Sequence, residues 1–257
     1  MKLYLGSRDL KPEGFKSVDI DPAYNPDICA DITNMNNVGD ASCSEIIASH
    51  VLEHLEWPDS FLAIAEMSRV TRIGGKVQIA VPDLLMLMNL MFTESPYVAM
   101  GMIFGAGGKK NVFEQHRYGF TAPMLIEIMA SVGYGDFDWW GSCRPEGANG
   151  WLEITGGRTG ISLNVQAVKK ADCTLPVKKV YDRLCEAPME PFSKILAEIT
   201  ENAEKQPDIP RLASELYQRV HFQLIDARQR IQYLENQIAQ MESERSSITD
   251  FFKRKPK

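Results

Sequence analysis

A short stretch rich in histidine carries the side chains best suited to chemistry. The sequence Ser49-His50-Val51-Leu52-Glu53-His54-Leu55 follows the apolar run 46–48. As a bare pattern, His50-x-x-Glu53-His54 matches the H-x-x-E-H signature with which some hydrolases bind zinc. As the end of a buried strand that turns into a helix, the same stretch is typical of the middle of a nucleotide-cofactor fold. The neighbouring residues indicate which interpretation of the motif applies, a metal site or a cofactor site.

Zinc chemistry asks more of this motif than its spacing provides. A zinc hydrolase needs two histidines on one helical face, a third ligand and a water in a polar cleft. His50 stands at the strand-to-helix junction, where a helix has barely begun, and residues 51, 52 and 55 read as the apolar side of a crossover helix. We therefore expect no metal, keep a zinc hydrolase using His50, Glu53 and His54 as a minor alternative, and interpret Glu53 and His54 as structural.

Composition restricts the class of protein. The chain has 257 residues, of which 44% are hydrophobic and 24% charged, and its net charge is -6. These values are ordinary for an α/β domain with an appendage, and the negative charge predicts no nucleic-acid partner. The five cysteines are scattered without a C-x-x-C pair, which favours reduced thiols and a cytoplasmic location. The longest apolar stretch, 84–104, is interrupted by polar residues and does not predict a membrane span.

Strand-like and helix-like segments alternate over residues 1–170. Helical patterns begin at the capping residues Asp59 and Thr121 and end at glycines. Apolar or alternating runs predict strands at 3–5, 15–20, 46–49, 76–81, 137–140 and 161–168. This order predicts an α/β fold with an open, mostly parallel sheet that is covered on both faces.

Three positions follow strands at the edge where such sheets bind ligands. Gly6 ends the first strand, Asp19 ends the second, and Asp31 lies where a third strand would end. A glycine lets a cofactor approach the backbone, and an acid after the second strand can accept both ribose hydroxyls. A carboxylate after the third strand can accept from an exocyclic amine. With the strand 46–49 beside them, these residues have the layout of an adenosine pocket.

Longer motifs carry a resemblance to a known family. They are Val18-Asp19-Ile20-Asp21, Ala30-Asp31-Ile32, the stretch 47–55, Arg69-Val70-x-x-x-Gly74-Gly75-x-Val77-x-Ile79-x-Val81-Pro82-Asp83, and Phe113-x-x-His116-Arg117-Tyr118-Gly119-Phe120-Thr121. Together they resemble the class I S-adenosylmethionine-dependent methyltransferases, and most closely the small branch found with surface-polysaccharide genes. The resemblance covers residues 1–170.

The resemblance implies a fold, a cofactor and a set of site residues. The implied fold is a Rossmann-like, doubly wound sheet of seven strands whose last strand is antiparallel. The implied cofactor is S-adenosylmethionine. The residues that would line the cofactor site are Gly6, Ser7, Asp19, Ile20, Asp31, Ile32, Ser49 and His50.

The glycine-rich loop departs from the family pattern, which is acid-x-Gly-x-Gly. Tyr4 stands at the acid position and Arg8 at the second glycine, and the connection to the strand 15–20 is too short for the usual helix. Arg8 has two interpretations. It can bind the cofactor carboxylate as a bidentate donor, for which we include it among the cofactor-binding residues, or it can fill the site of a domain that has lost its cofactor.

Methyl transfer to an oxygen often needs a base, and histidine is the usual choice. His50 at the strand tip and His116 before the last crossover helix are the candidates. Arg117 and Tyr118 are candidates for binding an anionic or sugar-like acceptor, with a packed loop anchor as the equal alternative for 116–118. The segment 84–120 is predicted to be an acceptor lid whose methionines give it an adaptable apolar surface, or simply a packed subdomain.

The remaining chain predicts assembly. Residues 171–210 contain prolines between short helical pieces and read as a linker. Residues 211–252 form a heptad seam, which predicts a homo-oligomeric coiled coil, dimeric or trimeric, with a single amphipathic helix packed on the domain as the alternative. The seam positions are Tyr217, Val220, Leu224, Ala227, Ile231, Leu234, Ile238, Met241 and Ile248. The basic tail 253–257, after two phenylalanines, is either a frayed end or a contact for an anionic membrane surface or a protein partner.

Two functions follow from the sequence. The first is a methyltransferase head on an oligomerising stalk, acting on a small-molecule or carbohydrate acceptor related to polysaccharide synthesis. The second is a degenerate, non-enzymatic head that serves as a scaffold or assembly subunit. The altered glycine loop at Tyr4 and Arg8 favours the second, whereas Asp19 and Asp31 favour the first.

Overall fold

In the computed structural model, the described residues are 1–93, 96–105, 114–140, 151–154 and 157–200. The chain divides into two compact units, Met1–Ala213 and Ser214–Lys257, and the second lies outside the described residues. The predicted coiled coil at 211–252, the tail at 253–257 and the last part of the linker therefore also lie outside them.

A single sheet of seven strands organises the first unit. Its strands are β1 (Lys2–Leu5), β2 (Lys16–Asp19), β3 (Ile28–Cys29), β4 (Cys43–Ser49), β5 (Thr71–Pro82), β6 (Tyr134–Trp139) and β9 (Ser162–Lys169). Two further strands, β7 (Trp151–Ile154) and β8 (Gly157–Gly160), pair with each other as a separate antiparallel hairpin.

The strand order of the sheet is β3-β2-β1-β4-β5-β9-β6. The neighbours from β3 to β5 are parallel, whereas β9 runs antiparallel to both β5 and β6. The order in which successive strands are added to the sheet reverses between β1 and β4, although these two strands are parallel. Open α/β sheets bind ligands at such a switch point. The seven strands and the antiparallel last strand confirm the fold that the resemblance implied.

In the described part of the chain, six helices accompany the sheet: α1 (Trp57–Val70), α2 (Leu84–Thr93), α3 (Pro96–Phe104), α4 (Ala122–Ser131), α5 (Val177–Glu186) and α6 (Phe192–Ile199). α1 has the amphipathic spacing that the sequence indicates, and its side chains Phe61, Ile64 and Met67 are fully buried. α4 packs beside it, where Ser68 Oγ donates to the Val132 carbonyl at 2.6 Å. These two helices and the buried side chains of the strands form the main core.

The first two connections of the sheet are short. Among the described residues, the connections β1–β2 and β2–β3 contain only a 3-10 turn at Pro22–Tyr24. Both faces of the central strands are nevertheless buried. Val77 and Ile79 of β5 are buried on one face, and Tyr4 and Ile47, which are in register with Gln78, are buried on the other.

The segment predicted as a linker contributes to the same unit. α5 and α6 pack on α1, on α4 and on each other. Their buried side chains are Val180, Leu184, Phe192, Ile195 and Leu196. Prolines 176 and 191 precede the two helices rather than interrupting them, since proline is tolerated at a helix start. Residues 177–199 are thus folded against the sheet domain.

The methionine-rich segment after β5 forms a small helical pair. α2 and α3 pack on each other around the buried Leu87, Leu90 and Ala99. Other large apolar side chains of the pair are exposed, among them Met88, Tyr97 and Phe104. This placement agrees with the packed-subdomain interpretation of residues 84–104. In the part of the chain that the structure describes, no helix is both long and apolar enough to cross a membrane.

Arg69 near the end of α1 fixes the loop between β3 and β4. Its guanidinium contacts the carboxylates of Glu66 and Asp40 and donates to the carbonyl oxygens of Met35 and Val38, both at 3.1 Å. Glu66 Oε1 in turn accepts the Met35 N–H at 2.6 Å. Hydrogen bonds from the Arg69 side chain thus stabilise this loop, which has little regular secondary structure.

We predict that Arg69→Ala lowers the free energy of unfolding by about 1–3 kcal/mol, because carbonyl and carboxylate groups of the loop lose a charged donor together. Urea denaturation of the full chain measures the change. Lys178→Ala is the control, since it removes an exposed ion pair with Asp182 and a cation–π contact with Tyr181, and it should cost less than about 1 kcal/mol. Equal losses for the two variants would show that Arg69 does not hold the loop.

Candidate functional site

Gly6 lies at the carboxyl end of β1, beside the switch point of the sheet. Its backbone has φ +63°, a conformation that favours glycine, and a Cβ there would lie 2.5 Å from Val51 Cγ2. The direction that a side chain would take is therefore filled by Val51 of the next strand-to-helix connection. Gly6 is required by packing, and this requirement exists whether or not a cofactor binds. Ser7 follows it, fully buried, and its N–H donates to the Val18 carbonyl at 3.1 Å.

Arg8 forms an ion pair across the loops of the candidate site. Its backbone has φ +48°, and its guanidinium Nη2 lies 2.5 Å from Glu114 Oε1. Both side chains are partly exposed, at 43% and 34%. The ion pair joins the loop after β1 to the segment before α4.

Asp19 is a buried carboxylate at the end of β2, with an exposed fraction of 6%. Its Oδ2 accepts the Arg8 N–H at 2.7 Å, and its Oδ1 accepts the Asp21 N–H at 3.0 Å. A carboxylate has about four acceptor positions, so these two hydrogen bonds leave room for further donors. The side chain is thereby fixed in place and still able to accept hydroxyl groups.

The residues after β2 and β3 have contrasting exposures. Ile20 is 56% exposed directly after the strand, which is unusual for a large apolar side chain, whereas Ile32 is buried. Asp31 is exposed, and its Oδ1 accepts from the N–H and the hydroxyl of Thr33, both at 2.8 Å. The structure places all three near the same edge of the sheet, because Ala30 N–H donates to the Asp19 carbonyl at 3.0 Å.

Ser49 ends β4, and its buried hydroxyl has no hydrogen-bond partner among the described residues. Asn164 Oδ1 is also buried and has no hydrogen-bond partner among the described residues. Ser49 is in register with Ala80, and Ala80 with Asn164, so the two polar side chains lie on one face, two strands apart. An unpartnered buried polar group costs about 1–3 kcal/mol, so this pair marks a place for a polar ligand or water.

His50 takes a left-handed backbone conformation, φ +54°, directly after β4. Its Nδ1 donates to Glu53 Oε1 at 3.0 Å, and its Nε2 accepts from the Ser162 hydroxyl at 2.8 Å. These roles follow from the carboxylate, which accepts when ionised. Both ring nitrogens are therefore engaged, so His50 is a fixed group at the strand tip and not a free base.

Glu53 is a carboxylate buried to 1% exposure in the 3-10 turn Leu52–His54. Burial acts to raise its pKa, but the hydrogen bond from His50 and the charges of His50 and His54 outweigh it, so the pKa lies below its usual value. Its Oε2 has no hydrogen-bond partner among the described residues. Glu53 is therefore an ionised, buried group with one carboxylate oxygen unsatisfied.

His54 and His116 lie on the other side of this carboxylate. Their rings meet edge to face, with centroids 5.0 Å apart. His54 Nδ1 donates to the Gln115 carbonyl at 3.1 Å, and His116 Nδ1 donates to the Met102 carbonyl at 2.9 Å. Burial is the main cause that lowers the pKa of His116, which keeps its imidazole neutral near pH 7. One ligand atom from each of Glu53, His54 and His116 lies within 4.8 Å of the others.

Arg117 and Tyr118 hold the segment before α4 in position. Their N–H groups donate to the Glu53 carbonyl at 2.7 and 3.3 Å. Arg117 Nη1 pairs with the exposed Glu56 at 3.0 Å, and the Tyr118 ring stacks on Trp57 at 5.2 Å. These contacts are those of a loop anchor, which was the alternative to an acceptor-binding role.

Sequence reasoning placed Glu53 and His54 with the structural residues, whereas the structure brings them together with His116. The H-x-x-E-H spacing contained the signal for the first two. The third is distant in the sequence, and only the hydrogen bonds between the segment 115–118 and residues 53–54 bring it close. His50, which the same spacing suggested as a ligand, is occupied by Ser162 instead.

Comparison with known proteins adds to this picture. Residues 9–79 match the family model of a methyltransferase domain. No curated protein matches the sequence. A solved SAM-dependent methyltransferase from Methanosarcina mazei has a TM-score of 0.46 at 14% identity, over 66% of this chain and 92% of that chain.

Two further solved structures have similar values. A SAM-dependent methyltransferase from Thermotoga maritima, described as a possible histamine N-methyltransferase, has a TM-score of 0.44 at 14% identity, over 66% of this chain and 82% of that chain. The 1,6-didemethyltoxoflavin-N1-methyltransferase of Burkholderia thailandensis, solved with S-adenosylhomocysteine, has a TM-score of 0.41 at 14% identity, over 66% and 71%. Identities this low say nothing about the acceptor.

The fold and the family-model match agree with each other. The sheet with its antiparallel β9 has a Rossmann-like methyltransferase fold, and residues 9–79 within it match the methyltransferase-domain model. The match supports S-adenosylmethionine as the cofactor. The buried Asp19 with spare acceptor positions and the unpartnered Ser49 hydroxyl fit such a cofactor, whereas the Cβ direction of Gly6 is already filled by Val51.

We predict that Gly6→Ala lowers the free energy of unfolding by about 2–4 kcal/mol, the sum of a left-handed backbone cost and a clash with Val51. Gly14→Ala is the matched control. It has φ +80° but no atom within 4 Å of the added Cβ, so it should lose only about 1–2 kcal/mol. Both are measured by urea denaturation without cofactor. If the two losses were equal, packing against Val51 would not be the reason for glycine at this position.

Proposed function

We propose that this chain is an S-adenosylmethionine-dependent methyltransferase that acts on a small-molecule or carbohydrate acceptor. The observation that supports it most is Asp19. A buried carboxylate is held by two backbone N–H groups beside the switch point of the sheet, and it keeps acceptor positions for further donors. A pair of ribose hydroxyls is the ligand that suits such a group.

The other predicted cofactor residues extend this site along the sheet edge. Ile20 offers an exposed apolar surface next to Asp19 for a flat base, and Ile32 lies buried beneath the neighbouring turn. Asp31 is exposed, where an exocyclic amine can reach its carboxylate. At the other end, the Ser49 hydroxyl can bond a polar group of the amino-acid portion. The adenosine portion is thus assigned to β2 and β3, and the methionine portion to β1 and β4.

S-adenosylmethionine supplies a methyl group on a positively charged sulfur, which an acceptor displaces directly. The protein mainly has to align the two and to remove a proton from an oxygen acceptor. Of the two predicted bases, His116 is better suited, because its Nδ1 proton is fixed on the Met102 carbonyl and its Nε2 keeps a lone pair. His50 is assigned a positioning role, since both its nitrogens are engaged.

The acceptor side is assigned to the segment 84–120, with Arg117 and Tyr118 at its base. A coiled coil at 211–252 would present several heads together in a homo-oligomer, dimeric or trimeric. We place the protein in the cytoplasm, with the tail 253–257 as a contact for the inner membrane face or for a protein partner. This plan suits methylation of a growing polysaccharide chain.

A scaffold subunit without cofactor is the second candidate. Two observations favour it: the Arg8–Glu114 ion pair joins the loop after β1 to the segment before α4, and Val51 occupies the space beside Gly6. Asp19 argues against it, because a domain that binds nothing gains little from a buried carboxylate with unused acceptor positions.

Calorimetric titration of the full chain with S-adenosylmethionine separates the two candidates. We expect binding by the wild type and an affinity about 10- to 100-fold weaker for Asp19→Asn, since charged hydrogen bonds to hydroxyls contribute about 1.5–3 kcal/mol. Asp27→Asn is the matched control. Asp27 also accepts a backbone N–H, from Ser17 at 2.8 Å, but it precedes β3 instead of following a strand.

Two outcomes would count against the proposal. Absence of heat with the wild type, with none gained by Arg8→Gly, would leave the scaffold as the better explanation. Equal affinity of Asp19→Asn and Asp27→Asn would remove Asp19 from the site. Thermal melting of each variant without cofactor shows whether a lost affinity reflects a lost fold.

A further inference from the structure

Glu53, His54 and His116 form a cluster of hydrogen-bond acceptors at the tip of β4. His54 and His116 donate their Nδ1 protons to backbone carbonyls, which can only accept. An imidazole that donates from Nδ1 carries its lone pair on Nε2 whenever the ring is neutral. Glu53 contributes Oε2, which has no hydrogen-bond partner among the described residues.

The three side chains converge. One ligand atom of each residue lies within 4.8 Å of the other two. Glu53 has a relative exposure of 1%. A buried carboxylate oxygen beside two imidazole lone pairs is unfavourable unless a cation joins them. A metal ion bound at about 2.0–2.2 Å from each ligand would require them about 3.4 Å apart, a small closure from the present spacing.

Hydrogen bonds from the three side chains to their neighbours resemble those around a metal site. Metal-binding histidines usually donate their second ring N–H to a carbonyl or carboxylate, and both histidines here do so. Glu53 Oε1 is likewise held by His50 at 3.0 Å. Each of the three side chains is thus oriented by a partner that leaves one atom free.

The two segments that carry these residues are joined by the backbone. Arg117 and Tyr118 donate to the Glu53 carbonyl, which fixes His116 against the turn. Gly105 at the end of α3 has φ +79°, and a Cβ there would overlap the Glu114 carbonyl and approach His116 N to 2.9 Å. Only glycine lets the end of α3 lie this close, so the approach of His116 is built into the fold.

We infer that Glu53, His54 and His116 form a site for a divalent transition-metal ion of the Zn²⁺ class. Two imidazole nitrogens and one carboxylate oxygen suit Zn²⁺, Fe²⁺ or Mn²⁺ better than Mg²⁺ or Ca²⁺, which prefer all-oxygen sites. Three protein ligands leave a fourth position for water or an acceptor oxygen, and the half-buried histidines leave it reachable from solvent.

The inference does not rest on methyl transfer, and it changes the role of one residue. With an ion bound, the His116 Nε2 lone pair is a ligand and no longer a base. The two roles differ in a property that needs no acceptor, which is whether the purified chain binds metal.

The test uses the full chain with any affinity tag removed, after dialysis against a chelator. Titration with Zn²⁺ by calorimetry should give about one ion per chain, and Co²⁺ should give visible absorption bands of a low-symmetry nitrogen–oxygen site. His54→Ala, His116→Ala and Glu53→Gln should each weaken Zn²⁺ binding by at least about 100-fold, since the loss of outer contacts alone costs 10- to 100-fold.

Matched controls keep the rest of the chain constant. Glu127→Gln removes a half-buried carboxylate on α4, and His221→Ala removes a histidine that lies outside the described residues. Both should bind Zn²⁺ as the wild type does. Zn²⁺ should also raise the melting temperature of the wild type and both controls but not of the three site variants, which shows binding to the folded state.

Two results would overturn the proposed metal site. A wild type that takes up no stoichiometric metal would overturn the site and mean that the three atoms share a proton or water. Unchanged Zn²⁺ affinity in both His54→Ala and His116→Ala would overturn it as well. Calorimetry with S-adenosylmethionine on the same samples reports the methyltransferase proposal separately, so either proposal can fail alone.

Discussion

The buried carboxylate of Glu53 is the group on which the site depends. Removing a charge from water is costly, so the fold has to surround it with partners. His50 donates to one of the carboxylate oxygens. The backbone carbonyl of Glu53 separately accepts from the N–H groups of Arg117 and Tyr118. These contacts fix the left-handed end of β4, place the segment before α4 over the strand tips, and thereby define one wall of the candidate site.

The second constraint is the shortness of the connection after β1. Without a helix there, Gly6 packs on Val51, and Arg8 can reach Glu114. The loop that usually surrounds a cofactor is thereby joined to the same segment that Glu53 holds. The adenosine side of the site, centred on Asp19, and the histidine side, centred on Glu53, are consequently coupled through the segment 114–118.

The fold itself was largely predictable. Buried strands alternate with helices, as in β4, α1 and β5, and this local pattern is strong enough to indicate a parallel sheet. The absence of a helix between β1 and β2 was also predictable, because the sequence leaves too few residues for one. The packing of α5 and α6 was not foreseen, since prolines in sequence indicate a break without saying what the next helix contacts.

The sequence by itself determined which residues follow the strands, and so named Gly6, Asp19, Ser49 and His50 as neighbours at one edge. Only the tertiary structure decided how each nitrogen and oxygen is used. It engaged both nitrogens of His50, turned Arg8 towards Glu114, and brought His116 to Glu53 and His54 across 62 positions of sequence. The reason is physical: strand order is written in local patterning, whereas hydrogen-bond partners depend on distances between segments that no local pattern contains.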